Sequence, residues 1–181
     1  QSDVEETIFE HCIRAIEKAC KFGEHGLPKI GIGDWNDGFS NIGPEGKGES
    51  VWLGFFLYII LVKFAEYAKS YENDDINKNN NNYYDNIENY NKEDNHNKAN
   101  NDNKYNNIIN KIDELKISNK YLGIAEKLKE NLNKNAWDGR WYKRAFADNG
   151  DVYGSMENEE CKIDSIAQSW SVISTVKKNK E

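Results

Sequence analysis

The feature that most constrains the fold is an asparagine-rich tract that divides the chain of 181 residues. Of the 38 residues from Asn73 to Asn110, 17 are asparagine, and Lys, Asp and Tyr make up most of the rest. Such a tract cannot bury enough apolar surface to offset the entropy lost on ordering. We therefore predict a disordered insertion at 73–110 between two foldable blocks, 1–72 and 111–181; a prion-like binding role is the weaker interpretation.

Charge and cysteine use narrow the partners and the compartment. The net charge of −7, with scattered Lys and Arg, argues against nucleic acid as a partner. Cys12, Cys20 and Cys161 form no CxxC pair and no zinc spacing, so we expect Cys12 and Cys20 to be buried free thiols.

No signal peptide opens the chain, and the longest apolar run, Val51 to Val62, has 12 residues. That length suits a core helix better than a membrane span, so we expect a cytoplasmic protein with no membrane segment.

Hydrophobic periodicity predicts helices joined by long loops. The predicted helices share an apolar period of 3.6 residues and lie at 3–22 behind a capping box at Ser2 to Glu5, from Val51 onward after an N-cap at Ser50, at about 119–134, and from Asp164 or Ser165 onward. Weak alternation over 141–147, followed by Asp148-Asn149-Gly150, predicts one short β-hairpin. The second helix begins apolar on all sides, which implies partner helices outside this chain.

The loop between the first two predicted helices holds the residues best suited to chemistry. It runs from His25 to Gly48, and a loop of that length inside a compact domain is usually functional. Within it Asp34 and Asp37 flank Trp35. An indole ring can stack on a pyranose, and a partly desolvated carboxyl beside it can protonate a glycosidic oxygen. An Asx-rich turn with no chemistry is the plainer interpretation of the same residues.

Several motifs in order resemble one enzyme family. The segments 22–28, 33–38 and 46–54 strongly resemble the catalytic domain of glycoside hydrolase family 94, formerly glycosyltransferase family 36, and 136–144 and 160–170 agree. The motif details look most like the phosphorylase-like region of cyclic β-1,2-glucan synthases and 1,2-β-oligoglucan phosphorylases. The resemblance implies an all-α fold, namely a fragment of an (α/α)6 barrel with long active-site loops and one short β-hairpin.

The resemblance also assigns roles to individual residues. Asp37 would be the general acid of an inverting β-glucoside phosphorylase, protonating the leaving oxygen while inorganic phosphate attacks the anomeric carbon and α-glucose 1-phosphate forms. Trp35 would stack on the sugar, and Asp34 would contact a hydroxyl or structure the loop. Glu49 would contact substrate or, as we favour, cap the following helix. Gln168 would hydrogen-bond sugar hydroxyls.

Partners follow from the same resemblance. It implies an oligosaccharide substrate and inorganic phosphate as co-substrate, with no cofactor and no metal, and it allows a homodimer of the full-length protein. The family's phosphate-binding histidine is expected beyond Glu181, so we expect the isolated chain to be inactive. Two alternatives stay open: an inverting hydrolase in which Asp34 or Glu49 serves as base, and a truncated fragment that binds glucans weakly or does not fold.

Overall fold

The computed structural model describes residues 5–34, 37–90 and 117–176, without the side chains of Asp37 and of residues 71–90. Its helices are α1 (Ile8–Ala19), a 3-10 turn (Asp37–Phe39), α2 (Val51–Tyr90), α3 (Ile117–Asn131) with a π-helical end (Leu132–Ala136), and α4 (Ser165–Ile173). Its strands are β1 (Glu49–Ser50), β2 (Ala145–Phe146) and β3 (Val152–Tyr153). The chain forms two compact units, Gln1–Leu61 with Ala125–Glu181, and Val62–Ile124. Every candidate site residue belongs to the first unit.

Helix α1 begins later than the sequence predicts, at residue 8 rather than residue 3. A capping box is present, but it is formed by Thr7 and Glu10: the Thr7 hydroxyl accepts from the Glu10 N–H, and the Glu10 carboxylate accepts from the Thr7 N–H at 2.8 Å. The predicted box at Ser2 to Glu5 falls largely outside the described residues. Cys12 and Cys20 are free thiols, but they are half-buried rather than buried.

The predicted hairpin is confirmed. Strands β2 and β3 pair antiparallel, Ala145 opposite Tyr153, and Gly150 closes the turn with a φ of 90°, which glycine adopts without strain. Strand β1 adds an unpredicted third strand, with Glu49 opposite Phe146. The resulting sheet, in the order β1-β2-β3, joins the end of the glycine-rich loop to the hairpin.

Helix α2 starts directly after β1. Its first turns are buried on several sides, as predicted, through Val51, Phe55, Leu57 and Leu61. The portion Val51–Ser70 is long and apolar enough to cross a membrane by length and composition alone, but a buried core helix passes the same test, and 44% of its apolar window is buried. The helix continues through residues 73–90 of the asparagine-rich tract. The rest of that tract lies outside the described residues, so the domain boundaries stay predictions.

Helices dominate the described residues, as the all-α prediction requires, but a three-stranded sheet accompanies them. This composition is compatible with a fragment of a helical catalytic domain. The (α/α)6 barrel itself remains a prediction.

Candidate active site

The first carboxylate of the glycine-rich loop is a buried anchor. The side chain of Asp34 is 1% exposed and accepts hydrogen bonds from Arg144 Nη2, from Trp52 Nε1 at 2.9 Å and from Ser50 Oγ at 3.1 Å. A buried carboxylate is tolerated when it is paired with a cation and hydrogen-bonded in this way. Asp34 therefore ties the loop to the end of β1, to the start of α2 and to the residue before β2.

The cation of this pair, Arg144, is itself 1% exposed. Its guanidinium lies over the ring of Phe39 at 4.4 Å from the centroid, a cation–π contact. Arg144 Nε lies 3.6 Å from Asp164 Oδ2, while the other oxygen of Asp164 accepts the Ile166 N–H at the start of α4. Sequence analysis placed Arg144 in a family motif without a role. The carboxylate of Asp34 was the one signal in the sequence that could have suggested such a partner, because a buried carboxylate is usually paired with a cation.

The candidate general acid lies between two residues that contact Arg144. Asp37 is the first residue of the 3-10 turn Asp37–Phe39. It lies three residues after Asp34 and two residues before Phe39. Trp35 and Asn36 lie outside the described residues, and so does the side chain of Asp37. The roles of Asp37 in proton transfer and of Trp35 in stacking therefore stay predictions.

Asp148 holds the second half of the loop. Its carboxylate accepts from the backbone N–H groups of Glu45, Lys47 and Gly48, the last two at 2.7 Å, and its own N–H donates to Ile42 O at 2.9 Å. Burial raises the pKa of Asp148, but the hydrogen bonds from Glu45, Gly48 and Lys47 outweigh it and hold the pKa below its ordinary value. Sequence analysis interpreted Asp148 only as a turn residue.

Glu49 organises the turn at 25–27. It is 1% exposed, and its carboxylate accepts the Leu27 N–H at 2.8 Å and the His25 N–H at 3.1 Å, and contacts His25 Nδ1 at 2.5 Å. These contacts replace the helix-capping role that we favoured; it is Ser50 Oγ that receives the Leu53 N–H, at 3.4 Å. A side chain at Gly23 would place its Cβ 2.5 Å from Glu49 Cδ, so the buried carboxylate requires glycine there. A substrate contact by Glu49 stays a prediction.

His25 borders a cleft on this side of the sheet. Its ring stacks on Phe146 with centroids 3.8 Å apart, and the cleft of about 260 Å³ is also lined by Lys29, Lys47 and Asp148. Within the described residues, His, Cys, Asp and Glu form no cluster of three or more that could hold a metal ion.

Gln168 uses its amide on the backbone. Its Oε1 accepts the Tyr142 N–H at 2.9 Å, and its Nε2 donates to Tyr142 O at 2.7 Å and to Asp164 O at 3.1 Å. These bonds fasten α4 to the segment that leads into β2. A bond from Gln168 to a sugar hydroxyl stays a prediction, and it would compete with these partners.

Comparison with known proteins identifies the family to which the chain belongs. The family model described as "Glycosyl hydrolase 94 superfamily, catalytic domain" matches residues 1–101 and 98–181. The chain therefore belongs to the catalytic-domain family of the glycosyl hydrolase 94 superfamily, as the motif resemblance indicates.

Three relatives show where the similarity lies. The chain is 36% identical to the cyclic beta-(1,2)-glucan synthase NdvB of Rhizobium meliloti (strain 1021), over 92% of this chain and 4% of that protein. It is 30% identical to solabiose phosphorylase of Paenibacillus borealis, over 93% of this chain and 17% of that protein. It is 28% identical to 3-O-beta-D-glucopyranosyl-beta-D-glucuronide phosphorylase of the same organism, over 94% and 17%. The chain thus spans only a small part of each relative's length.

Proposed function

We propose that the chain supplies the general-acid segment of an inverting β-glucoside phosphorylase. The reaction is phosphorolysis of β-linked gluco-oligosaccharides, with β-1,2 linkages as the preferred class, and it yields α-glucose 1-phosphate. The observation that carries the proposal is the buried anchoring of the loop at Asp34, which brings both ends of the segment around Asp37 to Arg144 in a chain of this family.

The chemistry needs one protein carboxyl group. A phosphate oxygen forms the new bond to the anomeric carbon from the face opposite the leaving group, the glycosidic C–O bond breaks, and Asp37 gives its proton to the departing oxygen. Phosphate takes the place of the base-activated water that an inverting hydrolase needs, so no second carboxylate is required. Trp35 supplies the stacking surface for the sugar ring, and Asp34 serves as the anchor of the loop.

The proposed preference for β-1,2 linkages rests on the names of the relatives. The 36% identical relative is named as a cyclic β-(1,2)-glucan synthase, and two others are named as phosphorylases of different glycosides. These names support a carbohydrate-active domain that works on glycosidic bonds. β-1,2-Gluco-oligosaccharides are therefore the first substrates to test.

Two observations argue against the hydrolase alternative. A hydrolytic base must hold a water molecule near the anomeric carbon. Asp34 instead faces Arg144, Trp52 and Ser50, and the buried Glu49 faces His25 and Leu27. Each carboxylate already has several donors inside the fold, so using either one as base would break an internal network.

The remaining parts of the proposal concern the co-substrate, the location and the assembly. Inorganic phosphate is the co-substrate, no cofactor is required, and the cytoplasm is the expected location. A homodimer of the full-length protein remains one assembly that the family allows.

The test uses the complete gene product that carries this chain, with sophorose and longer β-1,2-gluco-oligosaccharides. We expect sugar phosphate to form in phosphate buffer and no cleavage when phosphate is omitted. Asp37→Asn keeps the shape of the side chain but removes the acidic proton, so it should abolish cleavage. Asp151→Asn, at an exposed position of the hairpin, is the matched control and should leave the rate of cleavage unchanged. Cleavage without phosphate, or an active Asp37→Asn variant, would contradict the proposal.

A further inference from the structure

We infer that Arg144 is a positioning residue that fixes the general acid from both sides of its loop; this inference rests on the proposed role of Asp37. Arg144 donates to Asp34, which precedes the acid, and stacks over Phe39, which follows it. Only four residues lie between these contacts in the sequence: Trp35, Asn36, Asp37 and Gly38. The backbone of Asp37 belongs to the same 3-10 turn as Phe39, so a contact that holds Phe39 also constrains the backbone of Asp37.

Arg144 is suited to this task because its own backbone is fixed. Its N–H donates to Tyr153 O at 2.7 Å across the hairpin, and its carbonyl accepts the N–H of Val51, the first residue of α2, at 3.1 Å. Gly154 packs against it so closely that a Cβ there would lie 2.9 Å from the backbone nitrogen of Arg144. The backbone that carries the guanidinium is therefore held by a strand and a helix rather than by another loop, as precise positioning of a reacting group requires.

The guanidinium also lies close to the starts of helices α2 and α4. Its Nη1 lies 3.4 Å from Ser50 Oγ, immediately before α2, and its Nε lies 3.6 Å from Asp164, the N-cap of α4. A planar, forked cation can meet several such partners at once and still stack on Phe39. A lysine ammonium offers a single charged point and cannot reproduce this arrangement.

The loss of Arg144 should affect catalysis differently for different leaving groups. Displacement of a reacting group by about 1 Å can lower a rate by about a hundredfold. A misplaced acid slows only those reactions whose leaving group needs a proton. Cleavage of sophorose needs that proton, whereas β-glucosyl fluoride releases fluoride without one. Loss of Arg144 should therefore slow sophorose far more than the fluoride.

The experiment compares phosphorolysis of sophorose and of β-glucosyl fluoride by the complete gene product. Arg144→Met, which keeps much of the volume and loses the charge and the fork, should lower kcat/KM for sophorose on the order of a hundredfold. The fluoride reaction should fall by less than about tenfold, with the loss for sophorose in kcat rather than in KM. Arg140→Met is the matched control, because Arg140 lies four residues away on the exposed surface, and both of its reactions should match the unaltered enzyme.

The outcomes separate the two claims. If Asp37→Asn retains activity on sophorose, the proposed function is wrong about the acid. If Asp37→Asn shows the selective loss but Arg144→Met slows both substrates equally, or neither, the inference about Arg144 is wrong. Should the methionine variant fail to fold, Arg144→Lys gives the same comparison, since it keeps the buried charge and loses the fork. A selective loss in Arg144→Lys supports the inference, and an equal fold change for the two substrates overturns it.

Discussion

The buried pair of Asp34 and Arg144 makes a strong prediction about stability. Both side chains are 1% exposed, so removing one partner leaves the other charge buried without its main counter-ion. Such a change typically costs about 3–5 kcal/mol. We therefore expect Arg144→Met and Asp34→Asn each to destabilise the domain by about that amount, which a domain with a total stability of about 5–15 kcal/mol can survive.

The coupling between the two changes is the sharper quantity. Once one charge is gone, removing the other no longer breaks an ion pair, so the double variant should lose less than the sum of the single losses, by about 2 kcal/mol. A double-mutant cycle measures this difference. The unaltered complete gene product, its two single variants and the double variant are each denatured with urea and followed by circular dichroism. Arg140→Met corrects for loss of a surface arginine. Additivity to within about 0.5 kcal/mol would show that the pair does not hold the loop.

Two further predictions concern the loop that these residues enclose. The pKa of Asp148 is held below its ordinary value of 3.8, so its carboxylate stabilises the fold above that pH, and the contribution disappears as the pH falls through the lower, folded-state value. Melting temperatures between pH 6 and pH 3 should therefore fall more steeply in the unaltered protein than in Asp148→Asn, and parallel curves would refute this. Gly23→Ala should destabilise the domain because its Cβ would collide with Glu49, whereas Gly123→Ala, with open space in α3, should stabilise it by about 0.5–1 kcal/mol. Equal melting temperatures for these two variants would contradict the packing around Glu49.

Local sequence patterns predicted the elements that depend on local interactions. The apolar period located α2, α3 and the start of α4, and Asp148-Asn149-Gly150 located the hairpin. Strand β1 was missed because it has only two residues and its pairing partner lies in the hairpin. Two residues are too few to show the alternation of a strand.

The sequence predicted the location of the site, and the family resemblance assigned roles to its residues, but the internal contacts of those residues could not be predicted. Asp34 and Asp37 both flank Trp35 in a glycine-rich loop, and only the family resemblance assigned them different roles. The structure adds that Asp34 is bound by Arg144, which lies 110 residues away in the chain. Glu49 and Gln168 likewise reach distant backbone groups, at His25 and Leu27 and at Tyr142. Such long-range hydrogen bonds leave no local pattern, so sequence analysis offered a helix cap or a substrate contact for Glu49 and a substrate contact for Gln168, and it did not predict these internal bonds.

The most direct test of the proposed function is the anomeric configuration of the product. The complete gene product is incubated with sophorose and inorganic phosphate, and the first product formed is followed by proton and phosphorus NMR. Inverting phosphorolysis with Asp37 as the acid predicts α-glucose 1-phosphate, accompanied by one equivalent of glucose. β-Glucose 1-phosphate, or glucose with no sugar phosphate, would contradict it.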